Sequence, residues 1–129
     1  MAARARAIAI LVGVLGAAAT AGADEPVATA GLETLYRAEA SCVGVAQPKP
    51  PPALEIRAGT RVRCRGVTAD GTCAGLHRER PRRVIVTYAT TDAIPHELLH
   101  DVLCQVPRAL NPYGCDRRHE SPAWRRCLR

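Results

Sequence analysis

Six cysteines (Cys42, Cys64, Cys73, Cys104, Cys115 and Cys127) constrain this chain most, because all of them follow a segment that reads as an export signal. Arg4 and Arg6 form a basic start, and Ala7 to Ala19 is a run of small apolar residues without charge. Ala21-Gly22-Ala23 is an A-x-A cleavage site ahead of Asp24-Glu25-Pro26. The apolar run is well short of the ~20 residues that a spanning helix needs, so no stable membrane insertion is expected after cleavage. Residues 1–23 are therefore expected to be a signal peptide removed after Ala23, with the product secreted or periplasmic. An even cysteine count in an oxidising compartment reads as three disulfides, each contributing ~2–4 kcal/mol.

What remains, Asp24 to Arg129, is 106 residues, which suggests one small domain. Aromatic residues are scarce, with three Tyr, one Trp and no Phe, so the core is thin and the disulfides have to make up the difference. Cys64 and Cys73 flank Asp70-Gly71, a hairpin turn signal, and are expected to face each other across paired strands. Cys104 and Cys115 bracket a short loop with Pro107, Pro112 and Gly114, and Cys42 and Cys127 then tie the two ends together. These are preferences, and the sequence leaves the pairing open. Cys104 could also turn towards a metal, since a helix would place it about 80° from His96.

The chemistry is concentrated in His96-Glu97-Leu98-Leu99-His100, an H-E-x-x-H pentapeptide that uses two of the four histidines. Residues four apart share a helix face, so both imidazoles can reach one metal ion. Glu97 lies one step round the helix, where it can take a proton from a metal-bound water. The local sequence supports a helix from about Ala93 to Cys104. A β-branched stretch, Val84 to Tyr88, precedes it; Thr90, Thr91 and Asp92 are N-cap candidates; and Pro95 is tolerable in a first turn. On a helical wheel His96 and His100 lie about 40° apart, with Glu97 and Asp101 on one flank and Leu98, Leu99, Val102 and Leu103 on the other side.

A catalytic zinc, one per chain, needs three protein ligands and one free position. His119 is the expected third ligand, with the adjacent Glu120 as the alternative. His77, in an Arg-rich stretch, reads as solvated. Asp101 and Asp116 could orient ligand imidazoles, and Tyr113 or an Arg near His119 could stabilise an oxyanion. Trp124 reads as a core anchor for the tail. Charge adds little. Removing Arg4 and Arg6 lowers the net charge from +6 to +4, the base is nearly all Arg, and no aromatic interleaving marks a nucleic-acid site.

Residues 24–30 read as a flexible leader, Gly31 to Ala40 as a helix, and residues 48–52 as a Pro-rich connector. Segments Leu54 to Arg57, Arg61 to Val67, Cys73 to Leu76 and Val84 to Tyr88 read as strands, and the tail after Cys104 as irregular. That order fits an α+β domain: a short twisted, mainly antiparallel sheet on an N-terminal helix and the H-E-x-x-H helix, stapled by disulfides.

The pentapeptide resembles that of the zincin metallopeptidases. Asp101-Val102-Leu103-Cys104 departs from the metzincin continuation, and the distant third ligand is closer to a gluzincin-like spacing, with a His. His96 to Asp101, together with His119, Pro122, Trp124 and Cys127, also resembles an H-E-x-L-H-D…H-x-x-P-x-W-x-x-C pattern of small secreted bacterial proteins. The resemblance implies a zincin-like fold, His119 as a ligand, and peptide-bond hydrolysis with Glu97 as general base. It also implies Val84 to Tyr88 as the edge that aligns a peptide or protein substrate. A monomer is expected. The alternative is a non-catalytic secreted zinc-binding or disulfide-rich cationic binding protein.

Overall fold

The computed structural model describes residues 25–128, so the expected signal peptide lies outside the described residues. The first helix, α1, spans Glu25–Val43. It starts earlier than the sequence suggested, and the segment expected to be a flexible leader is helical from Glu25 onward. Pro26 accounts for this in part, because a first helical turn has no use for the N–H that proline lacks. Leu32, Leu35, Tyr36, Ala40 and Val43 recur at helical spacing and form the face that α1 buries. Gly44 ends the helix at φ 99°, and the Gly44 and Val45 N–H groups both close on the Ala40 carbonyl, at 2.9 and 2.8 Å. Residues 48–52 then run without helix or strand, as their prolines require, and the Lys49 N–H is held by Gln105 Oε1 at 2.8 Å.

Five short strands follow: β1 (Ala53–Arg57), β2 (Val62–Arg63), β3 (Thr72–Cys73), β4 (Gly75–Glu79) and β5 (Arg82–Thr87). The main sheet has the order β1-β5-β4, and β2 and β3 form a separate antiparallel hairpin. Asp70 closes that hairpin, accepting hydrogen bonds from the Thr72 N–H at 2.9 Å and the Thr68 hydroxyl at 3.0 Å. The expectation of a mainly antiparallel sheet needs correction. β4 pairs antiparallel with β5, but β1 pairs parallel with it, so the sheet is mixed. The whole β2–β4 segment serves as the crossover that a parallel pair requires.

Two helices complete the fold, α2 (Ile94–Cys104) and α3 (Ala123–Cys127). Val84 and Val86 on one face of the sheet meet Tyr36 and Ala40 of α1 and Leu98 and Val102 of α2. The other side of α2 places Leu99 and Leu103 against Ala123, Trp124 and Cys127. α2 is thus wedged between two small apolar clusters, which fixes its rotation and aims its polar face. The disulfides are Cys42–Cys127, Cys64–Cys73 and Cys104–Cys115, with Cα–Cα separations of 5.7, 6.1 and 4.1 Å, the preferred set among pairings that the sequence left open. Cys42–Cys127 spans 85 residues and joins α1 to α3. Among the described residues no helix is long and apolar enough to cross a membrane.

Candidate metal centre

β5 leads through a 3-10 turn, Tyr88–Ala93, into α2, with Pro95 in the first turn as the sequence allowed. The Thr90 hydroxyl accepts the Thr87 N–H at 2.9 Å, so Thr90 secures that turn and does not cap α2. His96 and His100 lie on one face of α2. His119 reaches them from the irregular segment that follows. Its Nε2 is 2.9 Å from His96 Nε2 and 3.2 Å from His100 Nε2. One ligand atom from each of the three lies within 4.8 Å of the others.

The donor set fits a metal. His100 Nδ1 lies 2.7 Å from the Cys115 carbonyl, which can only accept, so Nδ1 carries the proton and Nε2 presents a lone pair. Burial lowers the His100 pKa to about 4, with the Cys115 contact opposing and the neighbouring histidines adding to it. Burial, and then His119, lower that of His96. Neutral imidazoles with converging lone pairs suit a divalent cation. Tetrahedral zinc with Zn–N bonds of ~2.0–2.1 Å separates its nitrogens by ~3.3 Å, close to what is seen here.

His119 depends on how its loop is held. Asn111 Nδ2 donates to the Leu103 and Gly114 carbonyls at 3.1 and 2.8 Å, and Cys104–Cys115 pins the loop to the end of α2. Asp116 and His119 both adopt the left-handed region, at φ 56° and 57°. The buried Asp116 carboxylate accepts the Glu120 N–H at 2.8 Å, the Ser121 N–H at 2.7 Å and Trp124 Nε1 at 2.5 Å. Asp116 therefore shapes the His119 loop and touches no ligand imidazole. Trp124 anchors the tail, but its indole also walls the histidines, with ring centroids 4.7, 4.6 and 4.4 Å from His96, His100 and His119.

Glu97 is only 7% exposed. It lies over Gly75 of β4, so closely that a Cβ there would be 2.7 Å from Glu97 Cγ. Burial pushes its pKa up to about 7 against a hydrogen bond from the His77 backbone N–H. Sequence reasoning missed both of these β4 residues. His77 is not solvated: its side chain is buried, its Nε2 is 3.0 Å from Asp101 Oδ1, and its ring stacks on His100 with centroids 6.2 Å apart and planes at 15°. The signal was there in Gly75, His77 and Glu79, which alternate along a strand that the Arg-rich sequence disguised.

Asp101 is buried and turns away from the metal side. It accepts hydrogen bonds from the Tyr36 hydroxyl, from Arg82 Nη2 at 2.5 Å and from Arg82 Nε at 3.2 Å. Burial alone would raise its pKa, but His77, Arg82 and Tyr36 together hold it at about 2. Tyr113 is exposed and lies outside the cavity beside the histidines, and among the described residues Glu120 belongs to no ligand cluster. A second group, His77 with Cys104 and Cys115, is close enough to hold a metal, but its two sulfurs are joined to each other.

Above the three histidines lies a cavity of about 500 Å³, bordered by His96, Glu97, His119, Arg117 and residues Gly75 to His77 of β4. The strand facing it is β4, one of the two outer strands, whereas Val84–Tyr88 falls largely on β5, which has a neighbour on both sides. Tyr88 itself is exposed and lies outside this cavity.

No protein-family model, curated protein or solved structure matches the chain.

Proposed function

We propose that this protein is an exported zinc-dependent peptidase, in which His96, His100 and His119 hold one zinc and Glu97 is the general base. The observation that carries this reading is the pairing of three converging Nε2 atoms with a buried carboxyl of raised pKa, both on one open cavity. A structural zinc site takes four protein ligands and has no use for an adjacent base, whereas three ligands on a cavity leave a place for substrate. A zinc ion bound there would act as a Lewis acid on a scissile carbonyl and bring the pKa of water towards ~7.

The chain's own residues then divide the work. Glu97, with a pKa near neutrality, can accept a proton at its carboxylate and deliver it to the leaving amine. Arg117 borders the cavity and can pair with negative charge developing on the carbonyl oxygen. The disulfides suit the oxidising compartment that the N-terminal sequence implies. The test is zinc content per chain of the mature, oxidised protein after extensive dialysis, alongside hydrolysis of a peptide library. One zinc with hydrolysis is expected, and Glu97→Gln should keep the zinc and lose ~10²–10⁴-fold in rate. Absence of both zinc and hydrolysis would overturn the reading and leave a disulfide-stapled cationic binding protein.

A further inference from the structure

We propose that His77 is a positioning residue, anchored by Asp101, that sets the general base Glu97 and the ligand ring of His100 at once. This rests on the peptidase reading above. The basis is the alignment of β4 with α2. Gly75, His77 and Glu79 project from the same side of β4 and meet Glu97, Asp101 and Cys104 in turn: Gly75 lies under the Glu97 side chain, His77 bonds Asp101, and Glu79 Oε1 is 3.6 Å from Cys104 Sγ. Two residues of strand advance ~6.6 Å, and four residues of helix advance ~6 Å. Gly75 and His77 therefore stay in step with Glu97 and Asp101, one turn apart.

Two side-chain relations and the strand itself tie His77 to the site. Asp101 Oδ1 accepts a hydrogen bond from His77 Nε2 at 3.0 Å and fixes the ring. Two positions earlier on the same strand, Gly75 lies directly under the Glu97 side chain, so fixing His77 fixes the stretch of β4 on which the base rests. The His77 ring runs nearly parallel to that of His100, at 15° with centroids 6.2 Å apart, and His100 Nδ1 is held by the Cys115 carbonyl. Asp101 is itself clamped by Tyr36 of α1 and Arg82 of β5, so the anchor is tied to the body of the fold and not to the cavity. Removing the side chain frees the strand at the point where it orients the base, while His96, His100 and His119 remain to hold the metal.

The test compares His77→Leu with His77→Gln, whose amide can still donate to Asp101, in the mature oxidised protein. Zinc content, kcat, KM and hydrogen exchange of the residue-77 amide are measured. His77→Leu is expected to keep one zinc and an unchanged KM, to lose ~10–100-fold in kcat, and to exchange its residue-77 amide faster. His77→Gln should recover most of both losses. If His77→Leu does not fold, His77→Gln is compared with His77→Asn, whose shorter amide falls away from Asp101, and higher kcat and amide protection in the Gln variant are expected. Unchanged kcat and amide protection in His77→Leu, losses that Gln does not restore, or equal Gln and Asn variants would overturn the proposal. Should the wild type neither bind zinc nor cleave peptides, the peptidase reading fails, while amide protection still decides whether His77 holds Glu97.

Discussion

Gly75→Ala is the sharpest perturbation that the site offers, because one methyl group sets stability against chemistry. An ideal Cβ at Gly75 would lie 2.7 Å from Glu97 Cγ, 2.9 Å from its Oε1 and 3.1 Å from its Cδ. Ordinary contact begins at 3.4 Å, so the Glu97 side chain has to retreat by about 0.7 Å, and by about 1.3 Å to reach a relaxed 4 Å. The α2 backbone cannot follow, since Leu98 and Leu99 beside Glu97 are fully buried in the two apolar clusters. Gly75 is not among the glycines with positive φ, so alanine fits the backbone and stiffens the unfolded chain, worth ~0.4–1 kcal/mol in favour of folding. Overpacking costs ~1–3 kcal/mol and wins by a small margin. The effect on catalysis is larger, because moving a reacting group by ~1 Å costs up to ~10²-fold, equivalent to ~2.7 kcal/mol on the barrier. Urea melts, zinc content and kcat/KM of the purified variant measure all three quantities. We expect a folded protein with one zinc and kcat/KM down by ~10–100-fold. A folded, zinc-loaded variant within threefold of wild type would show that the position of the Glu97 carboxylate above Gly75 is not the one that matters.

His119→Ala should weaken zinc binding by more than the ~10–100-fold typical of losing an outer partner, and Glu120→Ala should leave it unchanged; the reverse result in a zinc titration would move the ligand role to Glu120. Cys104→Ser with Cys115→Ser should weaken zinc binding while hydrogen exchange in α2 stays largely protected, because the pair holds the His119 loop and not the helix; unaltered zinc affinity would refute this. Glu39 is buried with both carboxylate oxygens unpartnered among the described residues, and burial pushes its pKa up to about 8. The folded state therefore holds a proton that the unfolded chain releases above ~4.3, so the contribution of Glu39 to stability is full below that pH and is lost as pH rises towards 8, by up to ~1.4 kcal/mol per unit. Glu39→Met should flatten that fall, and parallel melting curves for variant and wild type between about pH 5 and 8.5 would refute it.

The parts of this fold that were legible in the sequence are those written locally. His96 and His100 are a helical repeat apart, Asp70-Gly71 announces a hairpin between two cysteines, and the prolines of residues 48–52 exclude helix and central strand. What depends on distant partners was not legible. The direction of β1 against β5 is set by a crossover that strand composition does not record. His77 reads as solvated among arginines until β4 is laid along α2, and only then does it meet Asp101. Asp101 looks like a surface residue of an amphipathic helix, yet Tyr36, Arg82 and His77, from three other elements, converge on it. Asp116 binds two backbone N–H groups and the Trp124 indole where the sequence equally allowed an imidazole, because a carboxylate accepts from either as readily.

The three histidines differ in what holds them, and this decides how the site can fail. His96 and His100 come with the helix, and α2 is kept by apolar residues on two sides. His119 has no helix or strand beneath it. Its position follows from one disulfide, the Asn111 and Asp116 hydrogen bonds, and the Trp124 ring. Since Trp124 rests on the Leu99 and Leu103 cluster and Cys127 binds Cys42 of α1, the tail is folded back by covalent and apolar contacts that involve no metal. Zinc would then enter a largely formed site, and chelation should remove it without unfolding the chain. Reduction acts on a different layer, because it releases the tail from α1 and the loop from α2, which a core with one Trp and no Phe is too thin to hold. Reduction should therefore lower the melting temperature more than chelation does, and the opposite ranking would mean that the metal, and not the disulfides, organises the tail.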